Sequence, residues 1–270
     1  MTLVTLTSDF GTVDGYVGAM KGVIAGIAPE ARVLDLTHDI PAQDVKAAAF
    51  ALYRAVPYYP HGSVHCIVVD PGVGTARRPL ALRTEDGQYL VGPDSGVVTL
   101  FLPPFALAEP EAVELTASEW WRTPGEPSAT FHGRDIFAPV AAHLARLAPA
   151  GPVDLARFGR PASGLTRFEM PEPVEERDGW RGEVMTVDHF GNAVTNLPAR
   201  WIADAGDGAI VEAGNQRMSI VRTYGDVAAG ELCALVGSSG WLEVAEREGS
   251  AAERLGLAPG IPVVVRKAGA

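Results

Sequence analysis

The sequence predicts an α/β chain. An N-terminal domain over residues 1–165 is built on a mostly parallel sheet with helices on both faces, and a smaller β-rich domain follows over residues 177–270. Three observations predict it. Short β-branched runs alternate with segments of helical period through the first half. A Pro-rich stretch at 147–176 carries neither period and marks the boundary. Short strands at nearly regular spacing, with little helix between them, fill the rest.

Leu3 to Thr7 is apolar and β-branched and reads as the first strand, and Tyr16 to Ile27 places apolar residues at helical spacing. Arg32 to Leu36 is a second strand. Asp44 to Ala55 is a second helix, with Pro41 and Asp44 as its start signals. Val64 to Val69 is an unbroken apolar run ending in Asp70-Pro71-Gly72, as expected of a parallel strand buried on both faces. Tyr89 to Val91 and a helix from Ala138 to Arg146 continue the alternation. Past the boundary, strands are expected at Gly182–Asp188, Ala209–Glu212, Met218–Val221, Glu231–Val236, Trp241–Val244 and Ile261–Arg266.

Apolar residues make up 47% of the 270 and charged residues 20%, enough to build a core and too little charge for a disordered chain. Lys and Arg number 22 against 33 Asp and Glu, a formal charge of −11 with no basic run, which argues against nucleic acid and membrane as partners. The opening MTLVTLTSDF lacks the basic and long apolar regions of a signal peptide, and no apolar run has the length of a membrane span. A cytoplasmic protein is expected. Cys66 and Cys233 stand in separate apolar stretches without metal-ligand spacing and read as buried reduced thiols.

In a parallel α/β sheet, ligands bind outside the carboxyl ends of the strands. Four polar segments stand at such ends: Ser8 to Gly11, Thr37 to Asp39, Asp70 to Arg77 and Gly92 to Gly96. A fifth, Phe131 to Asp135, adds a histidine before a helix, and Asp188 to Asn192 and Gly237 to Gly240 are polar clusters in the β-rich half. Any one of them alone is as well explained as a turn, and only their conjunction points to a site. The Gly-Val-Gly after Asp70 lacks the lysine of a phosphate loop, and its aspartate would repel a pyrophosphate. Asp9, Asp39, Asp70, Asp94 and His132 are of metal-ligating type, but no HxH or HExxH spacing supports a metal, and none is expected.

LTSDFGTVDGYVGAMKG, DLTHDI, VVDPGVGTARRPLA, VGPDSG, TFHGRDIFAPVAAHLA, VDHFGNAVTN and SSGWLEVAEREGSAAERLGL occur in that order between Thr5 and Leu257. Together they resemble the S-adenosyl-L-methionine (SAM) hydroxide adenosyltransferases, adenosine-forming SAM hydrolases related to the SAM-dependent fluorinase and chlorinase. The resemblance implies a Rossmann-like N-terminal domain, a β-rich, barrel-like C-terminal domain, and a homotrimer. Its SAM sites would lie between the N-domain of one subunit and the C-domain of its neighbour. It implies a triad of Asp70, Arg77 and His132, with Asp9 at the ribose. Asp188 and Ser238 would hold the methionine amine and carboxylate, Asn192 would contact the adenine, and Tyr224 would pack near it. SAM is then the substrate, and no cofactor is implied.

Where the halogenases carry a tyrosine, this chain has Asp70. A carboxylate beside a halide costs on the order of several kcal/mol at low effective dielectric, whereas water can donate to it. The implied reaction is therefore attack of water at C5′ of SAM, releasing adenosine and methionine. His132 is the triad member whose ordinary pKa lies near neutrality, so it is expected to handle the proton while Asp70 orients the water. Two other readings stand beside this one. A SAM-dependent halogenase would need halide, and a SAM or adenosine sensor would use Asp9, Asp188 and Asn192 but give the triad no task. The chain also departs from the family pattern, with Ser95 in place of the usual Asn and Ala245 to Gly249 in an adenine-contacting stretch. Ser239 stands where the fluorinase has an arginine, a loss for which Arg247 is the candidate substitute.

Overall fold

Leu3–Ser8 (β1) is buried from Val4 onward and lies one strand in from the edge of the first sheet. The computed structural model describes residues 2–269. β1 pairs in parallel with Arg32–Thr37 (β2) on one side and Val64–Val68 (β3) on the other. Tyr16–Ile27 (α1) and Val45–Ala55 (α2) make the crossovers. Asp44 caps α2, its carboxylate accepting from Ala47 N at 2.9 Å.

The expected mostly parallel sheet is in fact mixed. Pro79–Arg83 (β4), Tyr89–Pro93 (β5), Glu111–Glu114 (β6) and Arg160–Pro161 (β7) complete the order β2-β1-β3-β5-β4-β6-β7. Pairing is parallel from β2 to β5 and antiparallel from β5 through β4 and β6 to β7. The cause is the tight turn between β4 and β5, closed by Thr84 N on Gln88 O at 2.9 Å with Gly87 at φ +69°. So short a connection can only reverse the chain. Asp86-Gly87 was its sequence signal.

Successive strand residues reach opposite cores. Val64, Cys66 and Val68 pack with α1 and with Ala138–Leu147 (α3), whereas Ile67 and Val69 join Leu82, Leu90 and the α2 residues Ala48 and Leu52. Helices therefore cover both faces. The Pro-rich stretch is more ordered than its composition suggests: Leu155–Phe158 forms a 3₁₀ turn capped by Asp154, and β7 extends the sheet. Both cysteines are buried and free.

The chain divides into two compact units between Phe168 and Glu169. The second contains Val174–Glu176 (β8), Gly179–Val187 (β9), Ala193–Pro198 (β10), Ile210–Ala213 (β11), Gln216–Ser219 (β12), Leu232–Val236 (β13), Trp241–Glu246 (β14) and Pro262–Arg266 (β15). Its sheet runs β12-β11-β15-β9-β10-β14-β13, with β8 beside β9. Ile220, just past β12, bridges Ala234 of β13, so the two ends meet and the sheet nearly closes into a barrel. Inside are Val184, Leu197, Val211, Leu242, Val244, Val263 and Val265. Short helices Ala199–Ala205 (α4) and Ala251–Leu255 (α5) were not expected, and neither was β10, whose Thr and Asn broke the apolar pattern.

His65 of β3 is fully buried, with Nδ1 2.8 Å from Thr5 Oγ1 and Nε2 without a hydrogen-bond partner among the described residues. Burial pushes its pKa down to about 4 from an ordinary 6.5. Between those values the unfolded chain binds a proton that the folded chain refuses. The folded state is therefore expected to lose up to roughly 3 kcal/mol as pH falls through that window. Denaturant titrations at stepped pH measure the slope, and a His65→Gln chain with the same slope would assign it elsewhere.

Candidate active site

Asp70 and Arg77 are the ends of one loop that begins where β3 leaves the core. Val73 N donates to Asp70 O at 3.2 Å and Thr75 N to Gly72 O at 3.1 Å, coiling the loop so that its last residue returns to its first. Gly74 has φ +78°, and a Cβ there would come within 2.7 Å of Ala129 O. Only glycine lets this loop approach residues 128–131 so closely.

Arg77 then grips Asp70 with both arms of its fork. Nε donates to Oδ1 at 2.7 Å and Nη2 donates to Oδ2, with both side chains less than a tenth exposed. Nη2 also lies 2.7 Å from His132 Nδ1. The guanidinium plane faces Phe137, 5.2 Å from its centroid. Nη1 is buried and has no hydrogen-bond partner among the described residues.

That second contact fixes the state of His132. A guanidinium has no lone pair, so Arg77 must donate and His132 Nδ1 must accept. The ring proton consequently sits on Nε2. Burial first, and the Arg77 cation second, push the His132 pKa below its ordinary value, against the opposite pull of Asp70 and Asp135. The ring is neutral at pH 7 and offers an N–H rather than a lone pair.

His132 stands at the start of a π-helical turn, Gly133–Phe137, that runs into α3. Such turns are rare and need an external hold. Asp135 provides it: its buried carboxylate accepts from Arg122 Nε at 2.6 Å, Arg134 Nε at 2.7 Å, Arg134 Nη2 at 2.8 Å and Ser128 N at 2.9 Å. Burial opposes the Asp135 charge, but hydrogen bonds from Arg134, Arg122 and Ser128 outweigh it and hold the carboxyl well below the usual range.

Asp9, Phe10, Gln43, Asp70, Phe131 and His132 border a hollow of about 190 Å³ beside this group. Asp9 Oδ2 accepts from the backbone N of Gln43 at 2.7 Å, and Gln43 has φ +63°. Gln43 and Asp135 escaped sequence reasoning. Gln43 contributes a backbone N–H, which no side-chain pattern reports, and Asp135 was seen only as part of a helix-leading segment.

The other four candidates lie in the second unit. Asp188 clamps the turn from β9 to β10: Oδ1 accepts from Phe190 N and Asn192 N, and Oδ2 from Asn192 Nδ2, each at 2.9 Å. Two candidates are thus partners of one another. Tyr224 Oη donates to Glu243 Oε2 at 3.0 Å, and burial together with the Glu243 charge pushes its pKa up to about 12. Glu243, buried on β14, went unremarked in the strand pattern. Ser238 is exposed in the turn between β13 and β14. Among the described residues, no three His, Cys, Asp or Glu side chains are grouped to hold a metal, and no helix is long and apolar enough to cross a membrane.

A carboxylate and an imidazole that border a hollow at the strand ends, joined by a guanidinium, form the kind of centre an α/β enzyme uses. The profiles of the SAM hydroxide adenosyltransferase N-terminal and C-terminal domains match residues 4–153 and 182–264, and the chain belongs to that family. It is 45% identical to a protein of Thermus thermophilus named (R)-S-adenosyl-L-methionine hydrolase, over 97% of this chain and 99% of that one. It is 46% identical to one of the same name from Salinispora tropica, over 95% of each. A fluorinase of Actinoplanes sp. is more distant, at 27% over 98% of each. An uncharacterized conserved protein of Thermotoga maritima has the same fold, with a TM-score of 0.88 at 36% identity, over 97% of this chain and 99% of that one.

With Arg77 replaced by Gln, the cation that depresses His132 is gone and Asp70 is left unneutralised. The His132 pKa is expected to rise, with burial still opposing the pull of Asp70 and Asp135. A ¹⁵N titration of the ring reads this directly, along with the Nε2–H tautomer of the parent, and an unmoved titration would refute the coupling.

Proposed function

We propose that this enzyme hydrolyses SAM to adenosine and L-methionine, with Asp70, Arg77 and His132 holding the water. The observation that carries the reading is that Asp70 and His132, joined through the one guanidinium of Arg77, both border the hollow, where a water molecule can meet the carboxylate and the imidazole together. In the proposed step the water oxygen bonds to C5′ as the C5′–S bond breaks, and the sulfonium electron pair leaves with neutral methionine. Arg77 favours hydroxide character in the water.

The tautomer of His132 changes the division of labour expected from its ordinary pKa. Nδ1 is occupied by Arg77 and Nε2 carries the proton, so His132 is proposed to donate to the water and fix its direction. Asp70 is the acceptor-only member, so it is proposed to take the water's proton and pass it to solvent. Asp9 is assigned to the ribose hydroxyls. Asp188, Ser238, Asn192 and Tyr224 are assigned to the methionine and adenine ends.

The finer structural readings belong to the same proposal. The parallel run β2-β1-β3-β5, with Asp9 and Asp70 beyond its carboxyl ends, supports a Rossmann-like description of the first unit. A homotrimer and a cytoplasmic location complete it, and light scattering decides the first.

Purified protein and SAM, without halide, are expected to yield adenosine by chromatography. Asp70→Asn and His132→Ala should each lower kcat by roughly 10²–10⁴. His132→Gln, which returns an N–H near the place of Nε2, should keep more activity than His132→Ala. No adenosine, or turnover in both Asp70→Asn and His132→Ala within a few-fold of the parent, would reject the reading. EDTA should leave the rate unchanged.

A further inference from the structure

A second acid, imidazole and hydroxyl series lies outside the triad. His38, just past β2, has Nε2 3.0 Å from Asp35 Oδ1 and Nδ1 2.7 Å from Ser8 Oγ. Lys21 of α1 reaches the other oxygen of Asp35 at 2.6 Å. A carboxylate only accepts, so His38 Nε2 donates to Asp35 and the Ser8 hydroxyl donates to Nδ1. This is the hydrogen-bond order of a hydrolytic triad. Ser8 is nevertheless buried, and its Oγ accepts from Phe10 N at 3.3 Å, so it is not presented as a nucleophile.

The same two loops are joined at two further points. Gly11 N donates to His38 O at 2.9 Å, and Gln43 N donates to Asp9 Oδ2 at 2.7 Å. Gln43 holds a left-handed backbone that a residue with a side chain seldom adopts, and its N–H is thereby aimed at Asp9. Asp9 and Gln43 both border the hollow, whereas His38 and Ser8 do not.

We propose that His38 is a positioning residue: through Ser8 it clasps the loop after β1 to the loop after β2 and aims Asp9 into the hollow. Nucleoside affinity then depends on His38, and turnover of bound substrate does not. The inference rests on the reading that Asp9 meets ribose hydroxyls.

Two substitutions separate the halves of the series. His38→Asn places an amide oxygen where Nδ1 stands, keeping the Ser8 bond and losing Asp35. His38→Gln reaches the place of Nε2, keeping Asp35 and losing Ser8. In the full chain, His38→Gln and Ser8→Ala should weaken adenosine binding by calorimetry about tenfold and raise KM for SAM alike, with kcat within about threefold. His38→Asn should bind adenosine within about threefold of the parent. A merely structural histidine would move both His38 variants together, since each deletes one hydrogen bond. Equal affinities in those two variants, or parental affinity in Ser8→Ala, overturn the proposal.

Should the parent neither bind adenosine nor consume SAM, the hydrolase reading fails, and ligand-free amide exchange still decides the clasp. Faster exchange at Gly11 and Gln43 in His38→Gln and Ser8→Ala than in His38→Asn supports it, and equal rates refute it.

Discussion

One guanidinium, that of Arg77, is divided between a carboxylate and an imidazole, and the first-unit site is arranged around that division. Removing one partner of a buried ion pair costs about 3–5 kcal/mol, so Asp70 and Arg77 hold each other in place more firmly than either holds anything else. The geometry that results is specific because Arg77 is forked and planar; a lysine could not serve both acceptors in fixed directions. The loop that carries the pair is coiled by its own backbone and admitted to its neighbour by Gly74. The histidine arrives separately, on a π-helical turn held by another buried acid, Asp135, under two arginines. Two ion-pair networks on two segments thus meet at a single hydrogen bond.

The sheet explains why those segments converge. β1 and β3 are adjacent and parallel, so the loops carrying Asp9 and Asp70 leave the same edge side by side. No strand of the antiparallel half borders the hollow, and it is the connection from β6 to β7 that brings Phe131 and His132 to it. The antiparallel strands extend the covered sheet area instead, with β6 and β7 giving the Leu155–Phe158 turn something to pack on.

What could be read from the sequence was residue type at a position, and what could not was hydrogen-bond direction. Asp9, Asp70 and Arg77 stand in polar segments at strand ends and His132 in a segment before a helix, and it was the conjunction of such segments, with the family resemblance they carry, that singled these residues out. The neutral Nε2–H state of His132 is invisible there, because it follows from which atom Arg77 touches. Asp188 and Asn192 were visible as a polar cluster, but their mutual hydrogen bond was not, and it shows that a carboxylate can shape its own turn while remaining a ligand candidate. β4 and β6 went unread, and the mixed pairing with them. The Asp86-Gly87 pair held the missing information about strand direction.

The manner in which both sheets end bears on solubility. The barrel-like sheet brings its two terminal strands together at a single bridge between Ile220 and Ala234, which shields part of each border from a foreign strand. The first sheet stops at a two-residue strand containing Pro161, and at β2, which carries Arg32 and Asp35 outward. Proline withholds a donor and exposed charges resist desolvation, so neither border is a good template for self-templated stacking. The two borders of the first sheet therefore discourage the addition of a strand from another copy of the chain.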